Sequence, residues 1–153
     1  MPPRASRKRV LASTALTSLL LLVAACTAAA SAPTVVLGSS AYAGRNGAGW
    51  GTPHPSEIFN GGDPSGLVTH IHWSGWGGAS ASGHGLNAIF RPNGGYYDKL
   101  VTIDLRAYDK GRCTSHGPLA YRRLSVREPS RPGGPVGPWQ AWSGSKSLCS
   151  FGF

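Results

Sequence analysis

The sequence runs to 153 residues, a single-domain length, and is rich in glycine (22) and proline (12). Its formal charge of +9 comes from 15 lysines and arginines against 6 acids, yet four of those bases stand within the first nine residues and no acid precedes Glu57. The rest of the chain therefore carries about +5, eleven bases less six acids, a balance that argues against nucleic acid and points to anionic cell-wall polymers or lipid headgroups as partners.

Arg4, Arg7, Lys8 and Arg9 form a basic head, and the apolar run VLASTALTSLLLLVAA follows from Val10 to Ala25. A positive head that stays cytoplasmic and a greasy segment that enters the translocon make an export signal. The run is 16 residues long and diluted by Ser13, Thr14, Thr17 and Ser18, which is short for a helix crossing ~30 Å of hydrocarbon. Residues 1–25 therefore read as a cleaved signal peptide. Val23-Ala24-Ala25-Cys26 resembles the lipobox of bacterial lipoproteins, a branched apolar residue and two small ones before a cysteine. The resemblance implies a diacylglyceryl group on the Cys26 thiol and cleavage just before it, leaving the protein anchored on the outer face of the cytoplasmic membrane. The alternative is an ordinary secretory signal cut after Ala30 or Ala32, which discards Cys26 and yields a secreted protein.

Cysteine parity agrees with lipidation, since three cysteines in an exported chain leave one without an intramolecular partner. With Cys26 acylated, Cys113 and Cys149 are expected to form a disulfide, as is usual outside the reducing cytoplasm.

Residues 26–49 are small, polar and rich in Gly, Ala and Ser, and read as a flexible tether with Val35-Val36-Leu37 as one short strand candidate. From residue 50 to 153 short runs alternate between apolar and polar, and no helical period is sustained. Leu67, Thr69, Ile71 and Trp73 fall on one side of such a run, with Val68, His70, His72 and Ser74 on the other. Leu100 to Tyr108 is cleaner: Val101, Ile103, Leu105 and Ala107 alternate with Thr102, Asp104, Arg106 and Tyr108, as expected of a sheet with one buried and one wet face. Ala120 to Glu128 repeats the pattern with Leu124 and Val126, within a basic stretch of Arg122, Arg123, Arg127 and Arg131. Turns are expected at Asp63-Pro64-Ser65-Gly66 and Arg91-Pro92-Asn93-Gly94-Gly95, and the prolines of residues 129–138 make that segment a surface loop. The fold class implied is all-β, a single antiparallel β-sandwich or partly open barrel, preceded by the signal helix and the tether.

Two constellations invite a chemical reading. His70 and His72, two apart on a strand, would point their imidazoles the same way and could chelate zinc or copper, given a third ligand from His54, His84, His116 or Asp104. Trp76, Trp139 and Trp142 stand beside glycine or proline and are candidates for an exposed, ligand-binding aromatic patch, whereas Trp73 is in phase with Ile71 and belongs to the core. Other motifs fail on context. Gly83-His84-Gly85-Leu86-Asn87-Ala88 does not open a helix, as a phosphate-cradling loop must, and Ser143-Gly144-Ser145-Lys146 lacks the partner motifs of penicillin-interacting enzymes.

The block GGDPSG at Gly61 to Gly66, followed by Ile71, Trp73, Trp76, Gly77, Gly78, Ala81, Gly83 and Gly85, then Leu105-Arg106-Ala107 and the late cysteine pair, resembles small secreted or lipid-anchored proteins of actinomycetes. The resemblance implies an exported β-domain and transfers no catalytic or binding residue. The expected function is binding without catalysis, with no cofactor, of a cell-wall polymer, peptide or protein. The alternative is an exported hydrolase or metal-dependent enzyme using His70 or His72 with a nearby acid.

Overall fold

The alternating run that begins at Leu100 becomes the spine of the domain. In the computed structural model, which describes residues 33–150, it forms strand β5 (Val101–Arg112). Val101, Ile103, Leu105 and Ala107 are buried on its inner face, while Thr102 and Arg106 are exposed on the outer one. β5 pairs antiparallel with β4 (Ala81–Asn87) and β6 (Leu119–Arg127), and β4 pairs antiparallel with β3 (Leu67–Ser74). Three short strands complete the sheet: β1 (Val35–Leu37), β2 (Ile58–Phe59) and β7 (Gln140–Ala141). The order is β1-β6-β5-β4-β3-β2, with β7 also on β6.

This is an all-β fold, but it is one curled, open sheet of the half-barrel kind rather than a sandwich. Nor is it wholly antiparallel, because β1 runs parallel to β6 through Val35–Leu119, Val36–Ala120 and Leu37–Tyr121. Of the two expected forms it is the partly open barrel that is approached. In place of a sandwich's second sheet, side chains from irregular segments, Tyr42, Trp50, Trp142 and Leu148, are all buried against the inner face. Loops can close a core this way because each large ring brings its own polar satisfaction. Trp50 Nε1 donates to the Phe59 carbonyl at 2.8 Å and Trp142 Nε1 to Asn60 Oδ1 at 3.0 Å.

The segment expected to be a tether enters this core. Val35, Val36 and Leu37 are buried, and Tyr42 is 4% exposed with its ring 4.5 Å from that of Trp50. A run of Val-Val-Leu has the branched side chains a pleated surface favours, and its position beside β6 gives the backbone a ladder to join. The signal segment 1–25, Cys26 and the tether as far as residue 32 lie outside the described residues.

β3 departs from simple alternation. Thr69 pairs with Leu86 and His72 with His84, so His70 and Ile71 together oppose the single residue Gly85, which is a β-bulge. His70 takes a left-handed backbone (φ 53°) there. The phase flips across the bulge: Val68 and Ile71 are both buried although three apart, and Leu67 and Thr69 do not share a face with Ile71 and Trp73 as expected. Gly85 is what lets the bulge close, since a Cβ there would lie 2.7 Å from Val68 Cγ1 and 2.9 Å from the Thr69 carbonyl oxygen. Gly83 plays the same part for Trp73, whose ring lies over it while Nε1 donates to the Pro55 carbonyl at 2.8 Å.

A tight turn follows β3, with Gly75 and Gly77 in left-handed backbone and Gly78 N donating to the Gly75 carbonyl. Tyr121 ties it down. Its hydroxyl accepts from Gly77 N at 2.9 Å and donates to the Gly78 carbonyl at 3.1 Å. Asp63 caps the 3₁₀ turn Pro64–Gly66 by accepting from Ser65 N, and Gly94 N donates to the Arg91 carbonyl in the other expected turn. Cys113 and Cys149 form the expected disulfide. It closes a loop spanning 36 residues, for which the chain-entropy model gives about 4 kcal/mol, and it anchors a segment whose Leu148 is buried.

Candidate functional site

In-register antiparallel strands place directly opposed residues in rows across a face, with Cβ atoms about 5 Å apart. One row on the outer face runs His72, His84, Asp104 and Arg127 across β3, β4, β5 and β6. The β6–β7 pairing of Val126 with Gln140, extended by one residue, adds Trp139 opposite Arg127. The next row runs Ser74, Ser82, Arg106 and Ser125. Residues of both rows, among them Ser82, His84, Asp104, Arg106, Arg127 and Trp139, line a depression of about 320 Å³.

Two guanidinium groups define its electrostatics. Arg127 Nε donates to Asp104 Oδ2 at 2.8 Å in a partly exposed ion pair. Arg106 has no carboxylate partner among the described residues. Both lie against the Trp139 ring, at 4.5 Å for Arg106 and 4.8 Å for Arg127, within the range where the negative face of an indole attracts a cation. The indole therefore limits where the two forks can point, and the site keeps one positive charge in excess of its carboxylate. Guanidinium forks match the oxygens of carboxylate and phosphate, and the hydroxyls of Ser74 and Ser82 add neutral polar partners. What the arrangement can do chemically is hold an anionic, hydroxyl-bearing ligand.

The expected His70–His72 pair is not assembled. The bulge takes His70 out of the β3–β4 pairing, where its Nδ1 lies 3.1 Å from Thr69 Oγ1, and His72 instead faces His84 with ring centroids 5.6 Å apart. Among the described residues no three His, Cys, Asp or Glu side chains converge as metal ligands. The histidine–carboxylate couple an enzyme would need is incomplete as well. Asp104 stands opposite His84, but among the described residues no hydrogen bond joins the two, and no serine hydroxyl is hydrogen-bonded to a histidine ring.

The three tryptophans expected as a surface patch are also separated. Trp142 is 4% exposed in the core. Trp76 folds back from its turn, donates from Nε1 to the Val35 carbonyl at 2.9 Å, and packs edge-on against Trp73 and Tyr121. Only Trp139 reaches the outer face, and it meets guanidinium groups there. The basic stretch of β6 is likewise divided: Arg122 is held by Asp109 at 2.7 Å, with Arg123 at 3.9 Å from the same carboxylate, while Arg127 turns to Asp104. Arg106 and Arg127 were not singled out by sequence as ligand-binding. Their place on the polar side of alternating strands was readable, but their meeting with Trp139 depends on the register of β5, β6 and β7.

Comparison with protein-family models, with curated proteins and with solved structures returned no match for this chain.

Proposed function

We propose that this chain is an exported, lipid-anchored binding domain, without catalysis, that holds an anionic cell-wall polymer on the outer face of its sheet. The observation that carries the reading is the pair of guanidinium groups lying against Trp139, only one of them with a carboxylate partner among the described residues. Three features of the sequence support it: the basic and apolar N-terminal segment, the lipobox-like Val23-Ala24-Ala25-Cys26, and the excess of bases over acids beyond the signal. A diacylated cysteine has two chains in the bilayer, enough for stable attachment where one is marginal. A weakly binding domain held beside the wall also gains from high local concentration of a repetitive ligand.

Two measurements test this. Sedimentation with purified wall fractions should carry down the wild-type protein and leave Trp139→Ala largely in solution, because the variant loses the surface that aims both cations. Equal sedimentation of the two removes the site. Labelled palmitate should enter the wild type and not Cys26→Ala. Absence of label from the wild type removes the anchor and leaves a secreted protein.

A further inference from the structure

We propose that His72 and His84 form a two-imidazole binding site for a tetrahedral divalent ion of the zinc class. This inference does not rest on the polymer reading, although His84 and Asp104 also line the depression assigned to the polymer.

The geometry is favourable before any ion is added. An imidazole nitrogen about 2.1 Å from a tetrahedral ion puts its ring centroid about 3.2 Å from that ion, and two such rings have centroids about 5.2 Å apart. The rings of His72 and His84 are 5.6 Å apart and inclined by 31°. Both side chains are exposed, so the rings are free to turn until a nitrogen of each faces a common ion. Both sit at a directly paired position of an antiparallel ladder, so the backbone already supplies the close approach. Among the described residues neither ring is hydrogen-bonded to another protein group, which leaves a nitrogen lone pair on each free for a metal.

Asp104 adds a second element. It is directly opposite His84 on the side away from His72, and its Oδ2 is occupied by Arg127 while Oδ1 carries no partner among the described residues. A carboxylate oxygen there is suited to accept from the ring nitrogen of His84 that does not bind metal, the arrangement that fixes tautomer and orientation in many metal-binding histidines. The charges facing the site are Asp104, which offsets Arg127, and Arg106, which lies one row away against Trp139. With no third side-chain ligand among the described residues, water fills the remaining positions, so the site is open and exchangeable rather than structural.

The test is calorimetric titration of ZnCl2 into the full chain carrying Cys26→Ser, so that the thiol outside the Cys113–Cys149 bridge does not compete. One ion should bind per chain, and His72→Gln and His84→Gln should each weaken binding at least tenfold. His70→Gln and His116→Gln should leave it unchanged. Thermal melting of each variant checks folding, which these exposed substitutions should not disturb. Wild-type affinity in His84→Gln, or an equal loss in His70→Gln, would overturn the proposal.

Discussion

Replacing Gly83 by alanine probes the contact on which the β3–β4 hairpin depends. A Cβ at this position would stand 2.7 Å from Trp73 Cε3 and 2.9 Å from Cζ3. The indole has little room to retreat, because Nε1 is held by the Pro55 carbonyl and the ring packs against Trp76 at 4.9 Å between centroids. Overpacking of this kind costs about 2 kcal/mol and a stretched indole hydrogen bond about 1 more, while the lower chain entropy of unfolded alanine returns about 0.7. The net loss is about 2 kcal/mol, which for a domain of this size lowers Tm by roughly 8 °C. Scanning calorimetry of the oxidised chain reads it directly. Gly44→Ala is the control, since nothing lies within 4 Å of a Cβ there, and it should stay within about 0.5 kcal/mol of wild type. Adding Trp73→Phe, which removes the carbons that would clash, should make the alanine cost less than in the wild-type background. A Gly83→Ala protein as stable as wild type, or a Gly44→Ala protein equally damaged, would refute the contact.

Three further outcomes follow from the site and its supports. Asp104→Asn frees Arg127 from its carboxylate; a unit charge at 4 Å is worth about 1 kcal/mol in water, so affinity for a polyanion should rise about fivefold in a binding titration. Tyr121→Phe removes the hydroxyl that both accepts from Gly77 and donates to Gly78, which should cost about 1–3 kcal/mol and speed amide exchange at Gly77. Glu128, although exposed as a residue, has its carboxyl crowded at the rim of a depression with Gln140 and Trp142, and this desolvation raises its pKa. A raised folded-state value means that Glu128 favours the fold most at pH below its unfolded value and loses that contribution as pH rises through the folded one. Glu128→Gln should therefore flatten this part of the stability–pH profile when melting is followed from acid to neutral.

Alternation was enough to read β5 and β6, because Val101, Ile103, Leu105 and Ala107 are an uninterrupted inner face. It failed where a single residue reverses the count. His70 and Asp109 both adopt positive φ inside strands, at 53° and 59°, and neither is glycine, so nothing local announces the break. One reversal at His70 exchanged the faces of Leu67 to Thr69 and dissolved the expected histidine pair. The tryptophans misled for a different reason. Glycine beside Trp76 suggested exposure, yet those glycines let the turn fold back so that its indole reaches the Val35 carbonyl, 41 residues away in sequence. Long-range partners of this kind also made Val35–Leu37 a strand, since a tri-residue segment acquires its pairing from β6 and not from its own neighbours. The disulfide was legible from cysteine parity together with the lipobox resemblance that set Cys26 aside, neither of which needs geometry.

The central claim is that the guanidinium groups lying against Trp139 bind an anionic wall polymer. Its most direct test is the Kd of a soluble, phosphate- or carboxylate-bearing wall polymer, measured over a range of salt concentrations for the wild type and for Arg106→Gln. Wild-type binding should weaken as salt rises, and Arg106→Gln should bind at least fivefold more weakly with a shallower salt dependence. Equal affinities and equal salt dependence in the two proteins would contradict the account.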